Sequence, residues 1–441
     1  MSDFYHTSDD MSYTASDDAQ DAPVSTELAD PIDAVDLDQV DLFDPRWHQD
    51  GPPHELLARM RAQAPVRWNP LPDGSGCWTV TSHAEIAQVS RDFRSYSSHE
   101  GGVFLHPNQV LPLEITRNLL LYMDPPQHTD YRLILQTAFT PRAVQAFAQP
   151  VRERVTRTID RFIERGRADL VSELAVLVPL GVITSLLGVP DEDFDQFASW
   201  TASIEESTRA AEPEQATEVF GLMAAYLSEQ IARQSAAGRQ DTILAKLRDG
   251  QVDGRALTDI EILVFFALLA FAGHDTTRNT TSSGILALLE HPQVLAELQG
   301  DAALVPDAVE EILRWTSVVQ WFNRTALHDT ELGGKRIAKG DRVVMWYTSA
   351  SRDEAVFADP QTFDIHRAKP DHDAFGGGGR HFCLGAGLAR LELTIIFEEV
   401  TRRLRHLRLD GGVQRIPSSW TNALKTLPVT FTPGPREGAA G

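Results

Sequence analysis

Along most of the chain, hydrophobic residues recur every three or four positions, which is the spacing of amphipathic helices. This pattern runs from Thr140 to Leu247, and interruptions at 190–193 and 211–214 mark the joints between several helices. Strand-like alternation is confined to short segments at 66–69, 77–81, 324–326, 330–332 and 341–347, with a final hairpin at 415–431. The pattern therefore predicts a mainly α fold with small β-sheets (α+β).

The most continuous apolar segment begins after Thr258 and predicts a helix through the centre of the molecule. Thr258 and Glu261 have the spacing of a capping box, in which each side chain binds a free N–H group of the first turn. The residues that follow, 262–272, are nearly all apolar, so this helix should be hydrophobic on almost every face. The run is shorter than the ~20 apolar residues that a membrane span requires.

Small and polar residues interrupt this apolar helix at its centre, where the sequence reads Ala272-Gly-His-Asp-Thr-Thr277. Glycine costs helix stability and threonine hydroxyls can divert a carbonyl's hydrogen bond, so we expect the backbone ladder to be weakened or opened here. Small side chains would let a flat group lie against the helix, and Asp275 and Thr276 would supply proton-transfer groups in apolar surroundings. A kink that holds a water molecule is the alternative, but it leaves the carboxylate beside the hydroxyl unexplained.

A glycine-rich turn places a cysteine at the start of another helix. Phe375 is followed by four glycines, then by Arg-His-Phe-Cys383-Leu-Gly and an apolar helical pattern over 388–404. Glycines permit the tight backbone path, and the N–H groups at a helix N-terminus favour an anion. We therefore expect the Cys383 sulfur to be held as a thiolate, the form that ligates haem iron. Taken alone, the motif fits a buried structural cysteine equally well.

Two further motifs place charges at helical spacing. After the turn Met123-Asp-Pro-Pro, His128 and Arg132 stand four residues apart and share a helix face that suits a carboxylate. Glu311 and Arg314 stand three residues apart in a later helix and can pair with each other. Each motif is weak on its own, because solvated helix faces often carry such residues.

Composition and charge exclude some classes of function. The chain has 441 residues, enough for one large or two ordinary domains, and a formal net charge of −23. That charge argues against nonspecific binding to nucleic acid or to anionic membranes. Much of it lies in residues 1–45, which are acidic and poor in aromatic residues and therefore predict a disordered tail.

The sequence pattern also bears on cellular location. The N-terminal segment has neither the basic start nor the apolar core of a secretory signal. The two cysteines, Cys77 and Cys383, argue against a disulfide framework and suit a reducing compartment. We therefore expect a cytoplasmic protein without a membrane anchor.

Taken in order, these motifs resemble those of the cytochrome P450 family, in its soluble bacterial (actinobacterial-type) branch. The resemblance covers about residues 45–433. The segment around Asp275 resembles the family's oxygen-activation groove, and the glycine-rich turn resembles its haem-ligand loop. The resemblance implies a cytochrome P450 fold, with one large domain at 46–434 around a buried haem b (iron protoporphyrin IX) and a flexible C-terminus at 435–441.

The resemblance also implies roles for individual residues. Cys383 would be the axial thiolate of the iron, and Asp275 and Thr276 would be the catalytic proton-transfer pair. Further haem contacts would come from His128, Arg132, Arg324, His381, Ala272, Gly273 and Phe375, the first four at the propionates. A structural ion network would consist of Glu311, Arg314 and Arg367. One departure is that Phe375 stands one residue further from the cysteine than the family's usual phenylalanine.

The implied function is that of a haem-thiolate monooxygenase. It would activate dioxygen with externally supplied electrons and hydroxylate or epoxidise a hydrophobic small molecule such as a terpenoid, a branched lipid or a steroid. Ferredoxin and a ferredoxin reductase using NAD(P)H would supply the electrons, since too little chain follows the last motif for a fused reductase. We expect a monomer. A basic patch for an acidic ferredoxin would consist of Arg380, Arg402, Arg403 and Arg405.

The substrate pocket should be mostly apolar, which favours a hydrophobic substrate. Its predicted lining is Val103, Phe104, Leu268, Ala272, Val318 and Val319, with the turn Trp420–Leu424. Three alternatives stay open from the sequence. They are tailoring oxidation of a polyketide-like metabolite, a haem-thiolate peroxygenase or isomerase, and a non-catalytic haem-binding protein.

Overall fold

Helices dominate the chain, as the hydrophobic periodicity predicts. The computed structural model describes residues 32–105, 113–200, 203, 213–240, 242–368 and 371–438. The α-helices are α1 (His54–Gln63), α2 (His83–Arg91), α3 (Leu113–Thr116), α4 (Gln127–Gln136), α5 (Pro141–Gln145), α6 (Ala148–Asp160), α7 (Leu177–Leu187), α8 (Pro213–Ala236), α9 (Ile243–Asp249), α10 (Asp259–Glu290), α11 (Pro292–Gly300), α12 (Val305–Thr316), α13 (Tyr347–Ala350) and α14 (Ala386–Arg403). A π-helical turn, Val171–Ala175, leads into α7. Short 3₁₀-helices are Ile32–Ala34, Leu37–Gln39, Pro45–His48, Leu120–Tyr122, Thr137–Phe139, Ile163–Arg165, Asp191–Asp193 and Ala302–Leu304.

The strands are short and form small sheets. They are β1 (Val66–Pro70), β2 (Gly76–Val80), β3 (Tyr96–Ser97), β4 (Arg167–Asp169), β5 (Gln251–Val252), β6 (Arg255–Ala256), β7 (Trp321–Ala326), β8 (Thr330–Leu332), β9 (Lys335–Ile337), β10 (Arg342–Trp346), β11 (Arg408–Leu409), β12 (Gln414–Ile416), β13 (Ala423–Thr426) and β14 (Pro428–Thr430). The principal sheet has the order β1-β2-β10-β7-β3. β1 and β2 form the predicted antiparallel hairpin, whereas β10 runs parallel to β2, with Val343 opposite Trp78. The mainly α fold with small sheets is therefore confirmed.

Strand β4 lies inside a region that the periodicity predicts as helical throughout. It pairs antiparallel with β14, where Ala168 lies opposite Val429, and β14 also pairs with β11. The predicted hairpin at 415–431 is thus divided, because β12 pairs with β13 while β14 joins the other sheet. Three residues are too few to disturb a helical pattern, and their partner strand lies near the C-terminus, so local sequence does not reveal this pairing.

Helix α10 is the central element of the fold. Thr258 Oγ1 accepts the N–H of Glu261 and the Glu261 carboxylate accepts the N–H of Thr258, so the predicted capping box is formed. The helix packs against α7, α12 and α14. Gly284 permits this close packing, since a Cβ there would come within 2.6 Å of Ile312 Cγ2. By length and composition α10 could cross a membrane, but 56% of its most apolar stretch is buried inside the protein.

Of the two outcomes predicted at the centre of α10, an opened backbone ladder is wrong, because the helix continues without interruption from Asp259 to Glu290. Thr276 Oγ1 donates to the Ala272 carbonyl at 2.8 Å, and Thr280 Oγ1 donates to the Thr276 carbonyl at 2.8 Å. A carbonyl oxygen can accept two hydrogen bonds, so each hydroxyl adds a bond without displacing the main-chain N–H.

The predicted disordered tail, 1–45, includes residues that belong to the folded domain. Leu37 and Leu42 are buried in a hydrophobic cluster that also contains Trp346. The boundary at residue 45 is therefore wrong, because the high local charge conceals spaced apolar residues that are sufficient to anchor this segment. Residues 1–31 lie outside the described residues.

The predicted flexible C-terminus, 435–441, is also attached to the domain over most of its length. The Asp160 carboxylate accepts the main-chain N–H groups of Glu437 at 3.1 Å and of Gly438 at 2.7 Å. The prediction is wrong for these residues, because a carboxylate on α6 replaces the solvent as their partner. Residues 439–441 lie outside the described residues.

Candidate active site

The glycine-rich turn before Cys383 lies directly against the end of α2. Positive φ angles of 74° to 90°, which favour glycine, occur at Gly376, Gly378 and Gly379. A Cβ at Gly379 would lie 2.2 Å from the Ser90 carbonyl oxygen, so no larger residue fits there. The Cys383 N–H donates to the Phe375 carbonyl at 3.1 Å and closes the turn. The cysteine is thereby fixed just before the first residue of α14.

The electrostatics of Cys383 differ from the sequence prediction. The side chain is accessible to solvent, yet the protein packed around it raises the pKa of the thiol by desolvation. The N–H groups of Gly385 and Ala386 and the charges of Arg132 and Arg390 act in the opposite direction but do not prevail. The helix start therefore favours the thiolate but is outweighed by burial, and the thiolate at Cys383 stays a prediction. A coordinating metal ion deprotonates a thiol. Cys383 therefore fits the role of an iron ligand whose thiolate form would be stabilised by the iron itself.

Four side chains predicted to bind propionates gather near this turn. The rings of His128 and His381 approach each other with centroids 4.3 Å apart. Arg132 donates to a main-chain carbonyl beside the cysteine at 2.8 Å, and Arg324 is buried and donates to a carbonyl at 2.7 Å. Neither arginine forms an ion pair with a carboxylate within the part of the chain that the structure describes. Two partly desolvated positive charges are thus without an ion-paired carboxylate among the described residues.

The environment of these residues favours an added negative charge. Burial, and then the charge of Arg132, lowers the pKa of His128 to about 4, and burial also lowers the pKa of His381. Both imidazoles are therefore neutral near pH 7, and the positive potential comes from the arginines. Neither ring nitrogen of His128 has a hydrogen-bond partner among the described residues, although each is buried. Propionate oxygens would supply the missing charge and hydrogen bonds, so the cluster fits a haem.

The predicted ion network is assembled on α12. Arg314 Nε and Nη2 donate to the two carboxylate oxygens of Glu311, each at 2.7 Å, and Arg367 Nε lies 3.3 Å from Glu311 Oε2. Arg314 is completely buried and also donates to the carbonyls of Ser351 and Pro360 at 3.0 Å. The network thus connects α12 to the irregular chain that leads into the glycine-rich turn.

The small-residue surface on α10 differs in part from the prediction. Ala272 is exposed and Thr276, one turn later, is partly exposed, so together they form an open face of the helix. Gly273 does not belong to this face, because a Cβ at this position would lie 2.9 Å from Ile183 Cδ1. Its small size allows close packing of α10 on α7, and its contribution to the haem groove stays a prediction.

Asp275 lies behind this open face and is 5% exposed. Its Oδ1 accepts a hydrogen bond from Asn279 Nδ2 at 3.0 Å and lies 3.6 Å from Arg278 Nη1. The sequence analysis did not identify Asn279, although its spacing of one helical turn from Asp275 could have indicated it. A buried carboxylate beside a cation and next to a hydroxyl can hold and release a proton.

Aromatic side chains from four separate segments meet on the predicted substrate side. The Phe104 ring lies 5.1 Å from the Trp420 ring in an edge-to-face contact, and the Phe271 ring lies parallel to Trp420 at 6.2 Å. Phe104 also contacts Trp321 at 6.3 Å. Sequence reasoning found Phe104 and Trp420 but missed Phe271 and Trp321, which neighbour predicted pocket residues along the chain.

The aliphatic residues predicted for the pocket divide into two groups. Val103 and Val318 are buried, and their carbonyls accept hydrogen bonds from other segments at 2.8 Å, so they belong to the framework. Leu268, Ala272 and Val319 keep exposed surface and can contact a substrate. Val319 pairs with Thr421 in an isolated bridge that places it beside the predicted turn.

The predicted basic patch is largely neutralised. Arg402 pairs with Glu399 at 2.6 Å and with Glu437, and Arg403 pairs with Asp160 at 2.5 Å. The prediction of a continuous basic patch is therefore wrong, because acidic residues from α6, α14 and the C-terminal segment neutralise two of its arginines.

The pair Glu310 and Arg390 was not predicted from the sequence. These two residues stand far apart in the chain and give no local signal.

Comparison with known proteins agrees with this geometry. Residues 181–432 match the family described as Cytochrome P450. The chain is 35% identical to the steroid C26-monooxygenase of Mycolicibacterium smegmatis, over 91% of this chain and 96% of that protein. It has the same identity and coverage with the methyl-branched lipid omega-hydroxylase of Mycobacterium tuberculosis. The structure of Mycobacterium marinum cytochrome P450 CYP268A2 in complex with pseudoionone superimposes with a TM-score of 0.80 and 32% identity, covering 92% of this chain and 100% of that one.

These similarities include both α10 and the turn that carries Cys383, and they extend over nearly the whole length of the relatives. The cofactor expected from the glycine-rich turn is the one that this family binds. Since identity above 30% over nine-tenths of the chain coincides with the same fold, the protein is a haem-dependent monooxygenase of the cytochrome P450 family.

Proposed function

We propose that this enzyme hydroxylates the end of a branched hydrophobic chain, as in a steroid side chain or a methyl-branched lipid. The observation that carries this proposal is the apolar lining, in which Phe104, Phe271 and Trp420 meet and to which exposed Ala272 and partly exposed Leu268 add. An apolar wall recognises a hydrocarbon by surface burial and offers no partner to a charged group. The names of the two relatives, a steroid C26-monooxygenase and a methyl-branched lipid omega-hydroxylase, support the same class.

In this proposal the cofactor lies between the glycine-rich turn and α10. Cys383 would hold the iron, and the propionates would be bound by His128, Arg132, Arg324 and His381. Bound haem supplies the activation of dioxygen with two electrons delivered from outside. Within the described part of the chain, Arg132 and Arg324 have no ion pair and the ring nitrogens of His128 have no hydrogen bond, which supports this placement.

Asp275 and Thr276 would deliver protons to the open face of α10. The Thr276 hydroxyl both donates and accepts hydrogen bonds, and its side chain is partly exposed there. Asp275 is buried behind it and is held by Asn279 and Arg278, which keeps the carboxylate in one position. The carboxylate would bring protons from the protein interior, and the hydroxyl would pass them on.

Ferredoxin and a ferredoxin reductase that uses NAD(P)H would deliver the electrons, in the cytoplasm. The exposed surface around Cys383 supports this partner. Phe382, directly before Cys383, is 39% exposed, and Arg380, two residues before Phe382, is also exposed. This small surface joins an apolar contact to a positive charge close to the proposed iron ligand. If an acidic partner binds here, the rate of reduction should fall steeply with ionic strength.

The substrate class is tested with haem-loaded protein and a panel of steroids, methyl-branched fatty acids, terpenes and polyketides. Binding is measured from the spin-state change of the haem spectrum, and products are identified after turnover with a ferredoxin system. We expect steroids or branched lipids to bind most tightly and to gain a hydroxyl group at the chain end. Oxidation of only terpenes or polyketides, or oxidation away from the chain end, would contradict the proposal.

A further inference from the structure

An ion pair between Glu310 and Arg390 joins α12 to α14 close to the glycine-rich turn. Arg390 Nε and Nη2 donate to the two carboxylate oxygens of Glu310 at 2.5 and 3.0 Å. His372 Nε2 lies 3.3 Å from the same carboxylate. Burial acts to raise the pKa of Glu310, but the hydrogen bonds from His372 and Arg390 lower it to about 2, so the carboxylate stays ionised near neutral pH. The bidentate geometry fixes the plane of the guanidinium group.

The same guanidinium group lies over the ring of Phe375. Arg390 Cζ is 4.6 Å from the ring centroid, within the range of a cation–π contact. The ring also contacts His372 at 6.0 Å and Phe382 at 6.1 Å. Phe375 is therefore enclosed by residues from the segment before the turn, from the turn itself and from α14.

Phe375 in turn contacts the proposed iron ligand through the main chain. Its carbonyl oxygen accepts the N–H of Cys383 at 3.1 Å. A continuous series of contacts thus runs from Glu310 through Arg390 and Phe375 to Cys383. It also gives a physical role to the unusual spacing of Phe375, whose ring is held by Arg390 on the helix that follows the cysteine.

We propose that the pair Glu310–Arg390 is an electrostatic device that sets the reduction potential of the iron bound at Cys383. The inference rests on the proposed role of Cys383 as iron ligand. A positive charge beside an iron–thiolate centre favours the added electron and raises the potential, whereas a negative charge lowers it. Arg390 and Glu310 therefore act with opposite signs on the same centre, and Phe375 keeps the arginine in place.

The test compares single substitutions that change one charge at nearly constant size. Arg390→Gln removes the positive charge, Glu310→Gln removes the negative charge, and Arg390→Lys keeps the charge but loses the bidentate contact. Arg152→Gln is the matched control, because Arg152 pairs with Glu398 on the same helix and has a similar exposure, 40% against 38% for Arg390. The midpoint potential of the haem is measured in each purified protein by spectroelectrochemical titration.

We expect Arg390→Gln to shift the equilibrium constant for reduction about threefold toward the ferric state, since a half-exposed charge is partly screened. Glu310→Gln should shift it toward the ferrous state, while Arg390→Lys and Arg152→Gln should lie within experimental error of the unaltered protein. The decisive result is that Arg390→Gln and Glu310→Gln shift the midpoint potential in opposite directions. A general loosening of the turn would shift both variants in the same direction and would overturn the proposal, as would unchanged potentials in both.

Failure of this inference can be distinguished from failure of the proposed ligand. If Cys383 binds the iron, the unaltered protein shows the red-shifted Soret band of its reduced CO complex, whatever the potentials of the variants. Should Arg390→Gln lose its haem on purification, Glu310→Gln decides alone, because the arginine and its contact with Phe375 are then intact. A shift of Glu310→Gln toward the ferric state would contradict the proposal.

Discussion

Thr276 and Asp275 are adjacent in sequence but have different surroundings on α10. Asp275 is buried and held by Asn279 and Arg278, whereas the Thr276 side chain is partly exposed and bonded to the Ala272 carbonyl. The buried carboxylate can store a proton, and the more open hydroxyl can transfer it. The division of roles proposed above follows from this difference in environment.

Replacing Thr276 with alanine should uncouple electron transfer from substrate oxidation. We expect Thr276→Ala to bind substrate normally but to release a larger share of the NAD(P)H electrons as hydrogen peroxide, because the hydroxyl that passes on the proton is missing. Peroxide and hydroxylated product are measured per NAD(P)H consumed. The control is Thr280→Ala, which removes a similar hydroxyl-to-carbonyl bond one turn later on the helix. Equal coupling in both variants would remove Thr276 from the relay.

Glu392 on α14 provides a prediction about pH and stability. It is 3% exposed, its Oε1 has no hydrogen-bond partner among the described residues, and burial raises its pKa to about 8. The folded state therefore binds this proton more tightly than the unfolded state. The stabilisation that results from this tighter proton binding is fully present below the ordinary pKa of glutamate and is lost as pH rises toward 8.

Glu392→Gln should abolish this pH dependence. We expect the variant to be less sensitive to pH between about 5 and 8 and to be more stable than the unaltered protein at the upper end of that range. Urea unfolding at a series of pH values measures the effect. Parallel stability curves for the two proteins would show that Glu392 does not bind its proton more tightly when folded.

The role of a single residue could be predicted where its type is unusual for its surroundings. An aspartate in an apolar helix and a cysteine after four glycines both attract attention without a structure. Gly273 and Arg390 could not be interpreted in this way, because their roles depend on which neighbour lies opposite. Ile183 and Phe375 are those neighbours, and both are distant in the sequence.

Helix α12 and the chain before the glycine-rich turn are joined by the network of Glu311, Arg314 and Arg367. Arg314 is completely buried, so its charge depends entirely on Glu311 and on main-chain carbonyls. Removing one member of a buried ion pair leaves the other charge uncompensated. The network therefore matters for the position of the turn even though it lies outside the proposed chemistry.

Arg314→Met should destabilise the protein and release the haem. We expect the free energy of unfolding to fall by about 3–5 kcal/mol, because the buried Glu311 loses its bidentate partner and keeps only Arg367, at 3.3 Å, as a cationic neighbour. Chemical denaturation and haem content after purification measure the two effects. The control, Arg336→Met, breaks an exposed pair with Asp329 and should leave both measurements unchanged. Retention of normal haem content and stability in Arg314→Met would contradict the structural role of this network.

At the scale of elements, the helices were predictable and the sheet pairings were not. Helices such as α10 show their period and their caps within a few residues, as Thr258 and Glu261 illustrate. The parallel pairing of β2 with β10 and the insertion of β4 beside β14 connect distant parts of the chain. No local pattern encodes these partners, since a strand of three residues has too few side chains to indicate its period.

The whole molecule depends on the segment before Arg46 more than the acidic sequence suggests. Leu42 is completely buried, its N–H donates to Asn69 at 2.9 Å, and it packs in the cluster with Trp346. Residues 32–44 thus cover one side of the principal sheet. Net charge predicts solubility and partners, but it does not show which apolar residues within a charged segment are buried.

Leu42→Ala should measure this contribution. We expect a loss of about 2–5 kcal/mol in the free energy of unfolding, the usual cost of truncating a fully buried leucine. Leu222→Ala, at a position that is 51% exposed, is the control and should change stability little. Urea unfolding of both variants provides the comparison. A similar small effect in both would mean that the segment is not packed as described.

The proposed function requires that Cys383 ligates the haem iron, and the most direct test is the absorption spectrum of the reduced CO complex. The unaltered protein should show the red-shifted Soret band that a thiolate ligand produces, and Cys383→Ser should bind haem without that band. Cys77→Ser, which replaces the buried cysteine, should retain it. A red-shifted band that survives in Cys383→Ser would contradict the proposed ligand and the functions assigned to the residues around it.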